Sequence, residues 1–127
     1  MVLSPAIQRA AHAVIDKLMA EVEGIKAVVV ATEDGFEVAA KIENTAQVSR
    51  LAAMASSLAA LGAVAGEESG LGLCDSVLIE AAHGYILMLQ SRHPDIGLII
   101  SVITSREAVM GQALYLSRQA AKILEKA

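Results

Sequence analysis

The chain has 127 residues, of which 55% are apolar and 19% charged, with a formal charge of −4, one Phe, two Tyr and no Trp. A single domain of this length buries about 65% of its unfolded surface, and the composition calls for a core of Val, Ile, Leu, Ala and Met, which excludes disorder. The acidic balance, with neither Lys/Arg clusters nor aromatic platforms, removes the charge and stacking contributions that binding to nucleic acid requires.

The first element opens at Ser4-Pro5, a capping residue before the imino acid favoured at the first helical position. Ile7, Ala11, Val14, Ile15, Leu18 and Val22 then recur at helical spacing, and Gly24 supplies a stop. Charged residues fall in this segment where a secretion signal would need its apolar stretch, so a cytoplasmic location is expected. Next, "IKAVVVATEDGFEVAAKI" predicts two antiparallel strands, about 25–32 and 36–42, around the tight-turn dipeptide Asp34-Gly35. "AVVVA" is apolar at every position, so helices should cover both faces of the sheet.

Asn44, with Gln47 three positions on, resembles a capping box and opens a second helix over about 45–65, which Gly66 to Gly72 should break. "LCDSVLIEAA", "YILMLQS" and "GLIISVIT" read as three more strands, joined by His83-Gly84 and by "RHPD". Thr104 and Glu107 read as the capping box of a last helix with Val109, Ala113, Leu116, Ala120 and Ile123 on one stripe. The expected order is αββαβββα, an α+β fold in one domain spanning 1–127.

The second helix carries more apolar surface than one sheet can cover. Its stretch "LAAMASSLAALGAVAG", residues 51–66, holds no charge. Sixteen residues rise only about 24 Å as a helix, short of a hydrocarbon layer of about 30 Å, and seven of them are Ala, so direct membrane insertion is not expected. Leu51, Ala55, Leu58, Gly62 and Ala65 line one face, with Ala53, Met54 and Leu61 on another. A helix on a sheet needs an apolar stripe of only about 100°. Burial of the helix wholly inside one chain would account for the surplus, but a domain with two other helices and five strands rarely encloses a central helix. Close approach of a second copy at Ala55, Ala59, Gly62 and Ala63 is the preferred reading, because two-fold dimers are the commonest soluble oligomers.

Catalytic signals are weak. His83, His93 and Asp95 sit in neighbouring turns without a Cys or Glu partner, so no metal site is expected. Asp34 reads as turn chemistry. Cys74 is the only cysteine, which rules out an intrachain disulfide, and the carboxylate of adjacent Asp75 disfavours a thiolate, a poor setting for a nucleophile. "GEESGLG" lacks the Lys-Ser/Thr of a phosphate loop. Neither an enzyme activity nor a cofactor is expected.

With these elements placed, "VEGIKAVVVATEDGFEVAA", "RLAAMASSLAALG" and "SVLIEAAHGYILMLQS" together resemble the Roadblock dynein light chain family. The similarity extends to its bacterial and archaeal branch, which regulates small Ras-like GTPases and includes gliding-motility regulators. The resemblance implies a profilin-like five-stranded antiparallel sheet, order 2-1-5-4-3, with helices on both faces. It also implies homodimers in which the second helices pack antiparallel and the third strands join edge to edge. Leu51, Met54, Ala55, Leu58, Leu61, Gly62 and Ala65 of the helix would then contribute to the dimer interface, with Leu73, Cys74, Ser76 and Leu78 as edge-strand contacts.

In the GTPase-regulating members the dimer is a platform that reshapes the GTPase switch regions without supplying an arginine finger. By that resemblance Gln47, Arg50, Met54, Ser57 and Leu61 are the candidate docking residues, although the generic and preferred reading of Arg50 is a solvated first-turn side chain. The alternative is a passive scaffold or adaptor subunit of a larger motor, signalling or membrane-associated complex. A small-molecule sensor is the third possibility, for which the sequence shows no polar pocket.

Overall fold

The computed structural model describes residues 3–42 and 47–127. Helix α1 (Pro5–Glu21) starts where its caps dictate: Ser4 Oγ accepts from the Ile7 N–H at 3.1 Å, and Pro5 fills the first turn. Strands β1 (Ile25–Thr32) and β2 (Glu37–Lys41) follow, then α2 (Val48–Glu68), β3 (Ser76–Ala81), β4 (Gly84–Arg92), β5 (Gly97–Ser105) and α3 (Met110–Glu125). The five strands form one antiparallel sheet in the order β2-β1-β5-β4-β3.

Helices α1 and α3 cover one face and α2 the other. Every residue of β1 from Ala27 to Thr32 is buried, as an apolar strand between two helical layers must be. Val28 and Val30 join Leu98, Ile100, Val102, Leu87 and Leu89 under α1 and α3, together with Ile7, Ala11, Val14, Ile15 and Leu18. Burying each large side chain of this cluster contributes about 1.5–3 kcal/mol. The opposite layer is thinner. Ala55 meets Met88 and Ile99, flanked by half-buried Leu58, Ala59, Val77, Ile79 and Ile86.

Three sequence expectations need correction. Helix α2 breaks within the Gly66 to Gly72 segment, as expected, but runs to Glu68, three residues past the expected end. It ends in a Schellman turn: the Gly70 N–H donates to the Glu67 carbonyl at 3.0 Å and the Leu71 N–H to the Gly66 carbonyl at 2.9 Å, with Gly70 at φ 69°. Gly66 lacks a side chain because the chain folds back over it; a Cβ there would stand 2.3 Å from the Gly72 carbonyl oxygen.

Thr104 does not cap α3. It is buried within β5, opposite Tyr85 and Ile25, and ladder pairing outcompetes the local capping bond. The helix starts five residues later at Met110, after Val109, with no side-chain cap. Its inward stripe is also rotated, to Ala113, Ser117, Ala120, Ala121 and Leu124, leaving Val109 and Ile123 exposed. The Asn44 half of the other expected capping box lies outside the described residues, and Gln47 makes no side-chain capping bond.

Candidate docking surface

Helix α2 crosses the sheet from the β1–β2 end to β3, held at both ends of its inner side. Near its N-terminal half the β1–β2 turn packs underneath: Ser56 Oγ donates to the Glu33 carbonyl, and a Cβ on Gly35 would come within 3.5 Å of Ala53 Cα. That turn is internally braced. Thr32 Oγ1 donates to Asp34 Oδ1 at 2.6 Å and accepts from the Phe36 N–H at 3.0 Å, and Gly35 takes φ 94°. Further along, Gly62 lies so close to β3 that a Cβ would stand 2.8 Å from Cys74 Sγ.

These contacts occupy the inward stripe and leave the outward one bare. Leu51, Leu58 and Gly62 are half-buried, Leu58 and Gly62 against the sheet, and Ala55 is fully buried, so Ala55 belongs to the chain's own core. Gln47, Arg50, Met54, Ser57 and Leu61 all lie exposed on the outer side, with Met54 49% and Leu61 65% accessible. Ala65 is exposed as well. Met54 and Ser57 line an open groove of about 370 Å³ with Ala53 and Leu58. Gln47 instead lines a separate depression of about 900 Å³ beside Lys26, Lys41 and Met19.

Exposed Val64, one helical turn beyond Leu61, extends the stripe; its three-residue spacing was the available signal. Exposed Phe36 and Leu71 escape periodicity, because a turn and a helix terminus have none.

By length and composition α2 is the one described helix able to cross a membrane. Crossing would require it to abandon the Ser56 bond and the packing of Val48, Ala52 and Ala55 on the sheet. Seated as it is, α2 turns outward a long ridge on which Arg50 is the one charge.

The edge residues are distributed unevenly. Ser76 and Leu78 lie in β3, whereas Leu73 and Cys74 lie in the segment that precedes it, Leu73 exposed and Cys74 half-buried. Leu78 stands opposite Leu87 on the α3 side of the sheet. Among the described residues, no three His, Cys, Asp or Glu side chains converge as a metal site would need.

The model of the Roadblock/LC7 domain matches residues 12–103. The chain belongs to the Roadblock/LC7 family. Solved structures share its fold. A Roadblock/LC7 domain from Streptomyces avermitilis superposes with a TM-score of 0.82 at 21% identity, covering 89% of this chain and 92% of that one. The gliding protein MglB from Thermus thermophilus gives 0.84 at 16% identity, covering 99% and 93%. Myxococcus xanthus MglB gives 0.84 at 16%, covering 99% and 92%. A search of curated proteins by sequence returns no match. In this Roadblock domain, then, the apolar outer ridge of α2 and the open β3 edge are among the surfaces that the fold leaves uncovered.

Proposed function

We propose that the chain is a non-catalytic, homodimeric platform of the cytoplasm that binds a small Ras-like GTPase and regulates its hydrolysis or placement. The observation that carries this reading is the outward stripe of α2. Met54, Leu61 and Val64 are about half exposed or more on a helix whose other side is already seated on the sheet. Exposed apolar ridges of this size mark protein partners. The MglB-like fold and the resemblance to GTPase-regulating Roadblock members support a GTPase as that partner.

Met54, Ser57 and Leu61, with Arg50 as the one charge along the stripe, would form the docking surface. Its apolar centre would contribute most of the affinity, and Arg50 at the rim would tune the encounter rate. The test is to titrate the purified chain into the Ras-like GTPase encoded nearest its gene, loaded in turn with GDP and GTP. Binding and the hydrolysis rate are both read. The expected result is nucleotide-dependent binding that falls by at least about tenfold for Met54→Asp. A chain that neither binds nor alters hydrolysis would refute the GTPase reading and leave the scaffold role.

A further inference from the structure

The two edges of the sheet are built differently. The β2 edge is five residues long, begins and ends on the exposed charges Glu37 and Lys41, and its pairing with β1 shifts register between Val30 and Ala31. Charge, shortness and irregularity are the usual protections against strand addition. The β3 edge is one residue longer and regular, and carries a single charge. It pairs with β4 in unbroken register from Ser76↔Leu89 to Ala81↔Gly84, and its only charge, Glu80, is held by Arg106.

Both ends of β3 are gripped by an arginine. Before its first residue, Arg92 donates to Asp75 Oδ1 at 2.7 Å and to the Cys74 carbonyl at 3.0 Å. At the far end, Arg106 donates to Glu80 Oε2 at 2.8 Å and to the Ala81 carbonyl at 3.3 Å, stacked 5.0 Å over the Tyr85 ring. Each guanidinium therefore ties one carboxylate and one backbone carbonyl; Arg92 does so through both of its terminal nitrogens, a fork that lysine cannot reproduce, and Arg106 through Nη1 alone.

Between the clamps, the hydrogen-bond alternation can be read off. The Gln90 N–H donates to the Asp75 carbonyl at 3.0 Å, so odd-numbered residues of β3 bond to β4. Ser76, Leu78 and Glu80 turn their N–H and C=O groups to the open edge, where the Ser76 carbonyl holds only the weak donor Cys74 Sγ at 3.4 Å. An antiparallel second copy of β3 can engage all three residues in a single register. Ser76 then faces Glu80 of the second copy, and Leu78 faces itself on the two-fold axis, with about six N–H···O bonds. In that register Val77 and Ile79 stay on the α2 side of both sheets, next to the stretch of α2 that carries Leu61 and Val64.

We propose that Arg92 and Arg106 are positioning residues for self-association: they hold β3 as a straight six-residue template and confine its pairing to the register that puts Leu78 on the two-fold axis. The inference rests on the homodimer reading above. Arg92 matters doubly, since it occupies the Cys74 carbonyl, the next acceptor along the edge, and so blocks a register slipped toward the strand's start.

The test uses the full chain with Cys74→Ser as background. Single cysteines are placed at 76, 78 or 80 and treated with a short bis-maleimide, and dimer dissociation constants are measured by sedimentation. Leu78→Cys is expected to give a covalent dimer. Ser76→Cys and Glu80→Cys should cross-link only when the two variants are mixed. The Arg92→Ala/Arg106→Ala variant should dissociate roughly three- to tenfold more readily, with faster amide exchange at Ser76, Leu78 and Glu80. A cross-link at 76 or 80 alone, or none at 78 in a chain that dimerises, would overturn the register. An unchanged dissociation constant in the double-arginine variant would overturn the clamps. A parent chain that stays monomeric at every concentration would remove the homodimer reading itself, and the proposal with it.

Discussion

Two glycines and one carboxylate show how single residues are constrained. A Cβ on Gly84 would stand 2.0 Å from the Thr104 carbonyl oxygen, a backbone atom fixed by the β4–β5 ladder, whereas a Cβ on Gly111 near the start of α3 meets nothing within 4 Å. Gly84→Ala should therefore destabilise by about 2–3 kcal/mol, while Gly111→Ala should stabilise by up to about 1 kcal/mol, both read by urea unfolding. The Glu107 carboxyl is held below its ordinary range, chiefly by the hydrogen bond from the Ser105 hydroxyl, then by a backbone hydrogen bond, with Lys26 adding a smaller push. A depressed folded pKa means that this contribution is present above the unfolded value and is lost as pH falls through the folded one. An NMR titration of Glu107 should give a value below that of a free glutamate, and Ser105→Ala should bring it back up. An unchanged titration in that variant would show that the hydroxyl is not the cause.

Of the two helices on opposite faces of β1, α2 is held more weakly than α1. Its fully buried residues are Val48, Ala52 and Ala55, whereas α1 inserts Ile7, Val14, Ile15 and Leu18 into the larger core. Apolar area removed from water scales the stabilisation, so the chain's own packing holds α2 with much less free energy than α1. Amide exchange in dilute protein should be faster in α2 than in α1. Equal protection of the two helices in dilute solution would contradict this ordering. The layer imbalance was legible in the uncharged run 51–66, since surplus apolar surface is a property of composition. The helix ends were not. The Thr104 and Glu107 spacing matched a capping box, yet a β-branched residue in register with Tyr85 completes the ladder instead, and that competition involves residues far apart in the chain.

For the molecule as a whole, association and folding should be coupled. If the ridge and the β3 edge meet a second copy, the melting temperature should rise with protein concentration, since anything that binds only the folded chain stabilises it. Leu61→Glu should abolish that rise while leaving the melting temperature in dilute protein nearly unchanged, because Leu61 is 65% exposed. Leu58→Glu is a poorer probe, since half-buried Leu58 also packs toward Met88 and Ile99. A concentration-independent melting temperature in the parent chain would argue against self-association. By itself the sequence determined the element order, the burial of β1 on both faces and the uncharged run 51–66 of α2, because each follows from periodicity and composition within a short window. Only the tertiary structure decided that Ala55 is consumed inside the chain, that Gly66 is bare because Gly72 folds back onto it, and that two arginines grip the ends of β3. Those facts depend on where distant segments come to lie, and local spacing does not carry that information.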